Sequence, residues 1–196
     1  MKEDKLIVYF ATKNERKFHE AARVAAEYGI ALTQLNLEKH EIQSDDLRII
    51  ASVAAQQVLQ ESNVEGVVAE DAGFFVEALN GFPGPYSAYA YRKIGVDGIL
   101  KLLQASDRRN ASFASAVAYY DKWKCSACFE GTVQGRVSLL PKGLLGFGFD
   151  PIFVPLEGGD RTFAEMETSE KNKFSHRAQA FSKFFKWIKT NHPHND

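Results

Sequence analysis

Apolar residues along this chain fall in short uninterrupted runs, separated by stretches where they recur every three or four positions, the pattern of strands alternating with helices. Leu6 to Ala11 is continuous and apolar and reads as a buried strand. The polar turn Thr12-Lys13-Asn14 follows, then a helix that ends at Gly29, a residue suited to closing one. Ala31 to Leu37 predicts a second strand. It leads through His40-Glu41-Ile42-Gln43 to Ser44, placed as the N-cap of a helix with Asp45 and Asp46 in its first turn. Gly66-Val67-Val68-Ala69 predicts a third strand ending at Glu70, with Ala72-Gly73 as its turn and Phe74 to Leu79 as a short helix or turn. Asn80 to Tyr86 is dense in glycine and proline and predicts a long ordered loop, after which Asp97 caps a helix through Leu103. Ser112 to Tyr120 and Cys125 to Leu139 form a hairpin joined at Asp121-Lys122, with Gly131 and Gly135 as bulges or bends. In the last segment, Ala180, Phe181, Phe184, Phe185 and Ile188 make a core-facing helical stripe. No repeat or low-complexity tract interrupts this order, which predicts one continuous α/β fold over residues 1–196 with a mixed central sheet and flanking helices.

Composition narrows the partners. A 45% hydrophobic chain of 196 residues can bury a core without staples. The net charge of -1 supplies no global positive field for nucleic acid or an anionic membrane, so any anion site is local. The charged start Met1-Lys2-Glu3-Asp4-Lys5, and an apolar run too short for a signal core or a span, predict a cytoplasmic protein. Cys125 and Cys128 form a lone Cys-x-x-Cys. On a strand, residues three apart point to opposite faces, so these read as packing residues rather than a zinc or disulfide pair.

Four clusters carry candidate chemistry. The third strand runs into the carboxylates Glu70 and Asp71, and in open α/β sheets the carboxyl end of a strand is where ligands bind. Neighbouring strand residues face opposite ways, so one acid aims into a given cleft, and Asp71 beside the glycine turn is the candidate. Glu41, from a neighbouring strand end, can join it around magnesium, which takes oxygen ligands and usually one or two protein carboxylates plus phosphates. The plainer alternative leaves Glu41 solvated in a loop and Glu70 as a surface ion-pair partner. Thr12, Asn14 and Lys17 stand where a strand meets a helix N-terminus, a junction that favours phosphate, although an ordinary capped helix with solvated lysines fits the same residues. In Gly146-Phe147-Gly148-Phe149-Asp150-Pro151, glycines clear space for a flat group. An exposed ring there can stack a nucleobase and Asp150 can accept from ring N–H groups, while Phe149 fits core and base platform equally. Glu170 to Arg177 puts cations and a histidine at the start of the last helix, which is electrostatically wasteful unless an anion or an electron-rich base edge sits there; solvated helix residues are the alternative.

Taken in order, these segments resemble the inosine/xanthosine triphosphate pyrophosphatase family. The resemblance covers nearly the whole chain, through Ala11-Thr12-x-Asn14-x-x-Lys17, the run from Glu70-Asp71-Ala72-Gly73-Phe74 to Gly84-x-Tyr86-Ser87, Gly146 to Pro151, Thr162-Phe163-Ala164-Glu165-Met166, and Glu170-Lys171-Asn172 with Ser175-His176-Arg177. It implies an elongated fold with two lobes and a deep substrate cleft, a homodimer, and hydrolysis of ITP, dITP and XTP to the monophosphate and pyrophosphate with Mg²⁺. By the same resemblance Thr12, Asn14 and Lys17 grip the triphosphate, Glu41 and Asp71 hold the metal, and Asp71 activates water. Phe147 stacks the base, with Gly148 and Phe149 in the same substrate loop, and Asp150, Lys171, His176 and Arg177 recognise base and phosphate. The chain departs from the family pattern at Lys13, where small residues are common, at Ala72, where a hydroxyl is usual, and at Gln56, near the usual place of a phosphate-binding lysine. A Maf-like nucleotide diphosphatase and a non-catalytic nucleotide sensor are the rival readings.

Overall fold

The computed structural model describes residues 6–38, 42–123 and 126–191. Its strands are β1 (Ile7–Ala11), β2 (Ala31–Leu35), β3 (Gly66–Val76), β4 (Pro83–Gly84), β5 (Asn110–Asp121), β6 (Ser126–Val137) and β7 (Phe153–Pro155). The helices are α1 (Glu15–Glu27), α2 (Leu47–Glu61), α3 (Ser87–Leu102), α4 (Thr168–Lys171) and α5 (His176–Asn191). The strands make one sheet in the order β2-β1-β3-β5-β6-β7, with β4 added to β3. Pairing of β1 with β2 and β3 is parallel, and that of β3 with β5, β5 with β6 and β6 with β7 is antiparallel, so the sheet is mixed.

Side-chain alternation along β3 sorts the core. Val68 faces α1 and α5 together with Phe10, Val117, Phe181, Phe184 and Phe185. Val67 and Ala69 face α2, whose Ala51, Ala54 and Ala55 are small enough to let the helix sit close to the sheet. Farther along, Phe74 joins Phe113, Phe149, Phe153 and Phe163 against Ile99 and Leu103 of the α3 region. Each fully buried ring contributes about 1.5–3 kcal/mol relative to exposure. Among the described residues no helix is long and apolar enough to cross a membrane.

Several local expectations change. β3 does not end at Glu70: it continues to Val76, and Gly73 lies within the strand, where a Cβ would come 2.8 Å from the Gly84 carbonyl oxygen of β4. Only then does a short 3-10 turn, Glu77–Leu79, begin. The cap of α2 is Asp46, which accepts from the Arg48 N–H, while Ser44, two residues earlier, accepts from the Asp46 N–H. α3 starts at Ser87, ten residues before Asp97, and bends at Gly95 (φ 63°, ψ −167°), so Asp97 lies inside the second half of an existing helix. β6 carries no bulge at Gly131 or Gly135, which pair in register with Ser115 and Ala111. Gly131 is glycine because a Cβ there would collide with the His176 carbonyl oxygen at the start of α5. Cys128 is exposed on β6 rather than packed, and Cys125 lies outside the described residues.

Candidate active site

The geometry of the site follows from where strands stop. β1 ends at Ala11, paired with Ala69, and β4 takes up the same side of β3 only at Phe74. Between them Glu70, Asp71, Ala72 and Gly73 are paired on one side alone, to β5, and Asp71 and Ala72 line a cavity of about 620 Å³. The opening therefore comes from the end of the parallel neighbour, not from the end of the acid-bearing strand itself.

Alternation then separates the two acids. Glu70 is buried and faces α1 and α5, where it accepts from Ser115 Oγ at 2.8 Å and from Arg177 Nε at 3.1 Å, and pairs with Lys17 Nζ at 2.8 Å. Burial pushes this carboxyl up, but Arg177 and Lys17 outweigh it and hold it well below the carboxylate range. Arg177 also donates to Glu20, a buried acid of α1, and Glu20 accepts from Lys171 Nζ at 2.9 Å. Lys171 reaches Asp150 at 2.8 Å, and Asp150 accepts from the Phe147 N–H at 2.9 Å. Burial pushes the Glu20 carboxyl up, and Lys171 and Arg177 together bring it below its ordinary value. For Asp150, burial prevails over Lys171 and the carboxyl sits above its ordinary value. Three basic side chains, Lys17, Lys171 and Arg177, thus meet three carboxyl groups, Glu20, Glu70 and Asp150. With all six ionised the ladder sums to zero.

Over this ladder lies Phe147, half-buried, with Lys171 Nζ 5.2 Å and Arg177 Cζ 5.6 Å from its ring centre. Cations against a ring face are favoured by its quadrupole, so the ladder fixes the ring's place in the cavity. Phe149 is core: it is buried and stacks on Phe74 at 5.1 Å, with Tyr91 edge-on at 5.5 Å. His176 stacks almost parallel on Phe113 at 4.9 Å, and its buried Nδ1 has no hydrogen-bond partner among the described residues. Burial first, and then Arg177 and Lys171, hold the imidazole well below its ordinary pKa, so it is neutral.

The strand–helix junction uses much of its own polarity. Asn14 caps α1, its Oδ1 accepting from the Arg16 and Lys17 N–H groups, and Thr12 Oγ1 accepts from the Asn14 N–H. Thr12 is buried beside the cavity rather than lining it, and Asn14 lines it with its amide nitrogen left as donor. Arg16 donates to the Gly146 carbonyl at 2.7 Å and so ties α1 to the Phe147 loop.

Of the residues singled out from sequence, Lys13, Asn14 and Lys17 of the first loop and helix, Asp71 and Ala72 of β3, and Phe147, Gly148, Phe149 and Asp150 of the aromatic loop all line this cavity. So do Lys171, His176 and Arg177. Gln56 does not: it is exposed on α2, away from the lining. Glu41 lies outside the described residues. Sequence reasoning missed Glu20, Ser115, Arg16, Tyr91 and Arg92. For the last two a signal existed, because Ala88, Tyr91 and Arg92 stand at i, i+3 and i+4 and share one helix face.

A model of the Ham1 family matches residues 8–187 of this chain. The chain belongs to the Ham1 family. Among its relatives, the dITP/XTP pyrophosphatase of Methanopyrus kandleri is 48% identical, the match covering 94% of this chain and 97% of that one. The dITP/XTP pyrophosphatase of Thermococcus kodakarensis is also 48% identical, over 93% and 97%. The solved structure of the Staphylococcus aureus Ham1 protein superposes with a TM-score of 0.80 at 25% identity, covering 94% of this chain and 99% of that one. For the dITP/XTP pyrophosphatase of Mycobacterium abscessus the TM-score is 0.67 at 30% identity, over 96% and 100%. The match of this Ham1 chain therefore spans nearly the whole of it and of each of these relatives.

Proposed function

We propose that this protein hydrolyses non-canonical purine nucleoside triphosphates, dITP, ITP and XTP, to the monophosphate and pyrophosphate and so cleanses the nucleotide pool. One observation carries the reading: the stretch of β3 left open between β1 and β4 puts the Asp71 carboxylate in the same cavity as a helix N-terminus and a half-buried aromatic loop. That relatives 48% identical are dITP/XTP pyrophosphatases supports it.

In this reading Asp71 orients the attacking water and takes its proton as pyrophosphate departs. Phe147 stacks the base, and the neutral His176 presents its unpartnered Nδ1 toward a purine edge. The ladder below holds Phe147, Lys171 and Arg177 in place before substrate arrives, so little rearrangement accompanies binding. A hypoxanthine or xanthine 6-oxygen suits donors such as Arg177, and adenine's amino group leaves them unpaired.

A divalent ion, taken as Mg²⁺, fits the chemistry of Asp71, a hard oxygen donor lining the cavity. Asp71 and Glu41 would hold it, and it would supply charge against the phosphates. We extend the resemblance to a homodimer with two lobes around the cleft, a single 1–196 domain, and a cytoplasmic location.

Pyrophosphate release across ITP, XTP, dITP, GTP and ATP with Mg²⁺ tests the reading. ITP, XTP and dITP are expected to exceed ATP by roughly 10²-fold or more, since buried donors left unpaired discriminate strongly. Orthophosphate and a nucleoside diphosphate as products, or equal turnover of ATP, would sink it.

A further inference from the structure

The neutral ladder leaves a question of charge. A nucleoside triphosphate brings several negative charges into the cavity, yet Lys17, Lys171 and Arg177 are already matched by buried carboxyl groups. Arg16 is engaged by the Gly146 carbonyl, and Lys13 pairs with Glu38 at 3.4 Å. Arg92 is the remaining basic residue of the lining, and among the described residues it has no hydrogen-bond or ion-pair partner. Gln56 adds nothing from α2.

Arg92 is held where it stands by its helix. The first half of α3 buries only Ala90, so packing against the core does not dictate its face. Two polar and aromatic contacts do. Ser87 Oγ accepts from the Phe74 N–H at 2.7 Å and donates to the Gly84 carbonyl at 2.6 Å, which pins the helix start to β3 and β4. One turn on, Tyr91 sets its ring against Phe149. With Ala88 and Tyr91 turned to the cavity, Arg92 at the i+4 position is turned there as well, and the small Ala88 leaves room beside it. Its guanidinium offers a planar fork that matches two phosphate oxygens.

We infer that Arg92 is a substrate-binding residue of this site, a clamp on the polyphosphate supplied by α3 rather than by the α1 junction. This rests on the nucleotide reading above and deepens it. The charge that α1 cannot offer comes from another element, and it contacts a part of the substrate common to every nucleoside triphosphate. Arg92 therefore sets affinity for the phosphates and leaves the choice of base alone.

Arg92→Gln and Arg92→Lys test this against the unchanged protein, with inorganic pyrophosphate as the calorimetric probe and ITP and ATP as substrates. In Arg92→Gln the pyrophosphate affinity is expected to fall roughly 10- to 100-fold, the range for a hydrogen bond to a charged group. Arg92→Lys, keeping the charge without the fork, should recover part of that. KM for ITP should rise in parallel while the ratio of kcat/KM for ITP over ATP stays fixed. Melting temperature should stay within about 2 °C, as for an exposed residue without partners. Unchanged pyrophosphate affinity in Arg92→Gln would overturn the inference, and so would an altered ITP/ATP ratio, which would make Arg92 a reader of the base. If the unchanged protein releases no pyrophosphate from any nucleotide, the functional reading fails, and the pyrophosphate titration still judges Arg92.

Discussion

Asp71 and Glu70 are adjacent on β3 and face opposite ways, so the same functional group does different work at the two positions. Asp71 lines the cavity, and Asp71→Asn should lower pyrophosphate release by roughly 10²–10⁴-fold, the usual contribution of a positioned acid or base, with the melting temperature little changed. Near-native turnover in that variant would assign water activation to another group. Glu70 is buried between Ser115, Arg177 and Lys17, and its removal strands two cations. Glu70→Ala should therefore cost about 3–5 kcal/mol in a urea titration, and a loss below 1 kcal/mol would show that the pair is not what holds β3 and α5 together. Asp71 and Phe147 were legible because acids beside glycine, and rings between glycines, are unusual in any packed element. Glu20 was not legible. An acid in mid-helix looks solvated until Lys171 and Arg177, 151 and 157 residues later, arrive beside it.

The order of β1, α1, β2, α2, β3, β5, β6 and α5 was readable from the apolar runs, and the aromatic stripe of α5 came out as the spacing predicted. By contrast β4, β7 and α4, two to four residues each, are too short to leave a pattern. Boundaries were not readable where a polar residue is satisfied through the fold. β3 looked finished at Glu70 because a charge in mid-strand is costly alone; it continues because Ser115 and Arg177 lie across from it. The first half of α3 shows no apolar stripe at helical spacing, since Ala90 is its one buried side chain, so the helix was legible only from Asp97 onward. Gly131 looked like a bulge because glycine weakens a strand, and the helix terminus that needs the space lies 45 residues on, at His176. Gly131→Ala should push α5 away from β6 and cost about 1–3 kcal/mol, as overpacking does. For a chain of this size that is a fall of several degrees in melting temperature. A melting curve superposable on that of the unchanged protein would show that α5 shifts freely to make room.

At the scale of the whole molecule, His176, Glu70 and Glu20 respond to acid in one direction. Asp150, whose carboxyl is raised by burial, offsets part of their effect because it holds its proton more tightly folded than unfolded. His176 is neutral when folded and takes up a proton once unfolded below its ordinary pKa of 6.5, so stability is full above that pH and declines as pH falls through it. Glu70 and Glu20 are held below their ordinary 4.5, so their contribution is present above that value and is lost as pH falls further. Each proton taken up on unfolding tilts stability by at most about 1.4 kcal/mol per pH unit. Melting temperature should therefore be flat from pH 8 to 7, decline between about 6.5 and 5, and steepen below 4.5. His176→Asn should flatten the middle segment and leave the lowest one, and a middle segment that survives would assign it to other groups. Sodium chloride should discriminate in the same way. The ladder lies out of reach of mobile ions, so stability should hardly change up to 0.5 M, while KM for ITP rises as exposed Arg92 is screened.

The four-residue interruption between β1 and β4 also bears on how this chain behaves in a crowded solution. A bare strand edge is a template for another chain's strand, and proteins that carry long ones tend to associate through them. Here the bare length ends at Ala69 on one side and Phe74 on the other, and an acid at Asp71 stands in it. A foreign strand would find too few positions to pair and a carboxylate in its way, while a nucleotide, which needs no ladder, can enter. The same gap that admits a ligand is thus too narrow to seed aggregation.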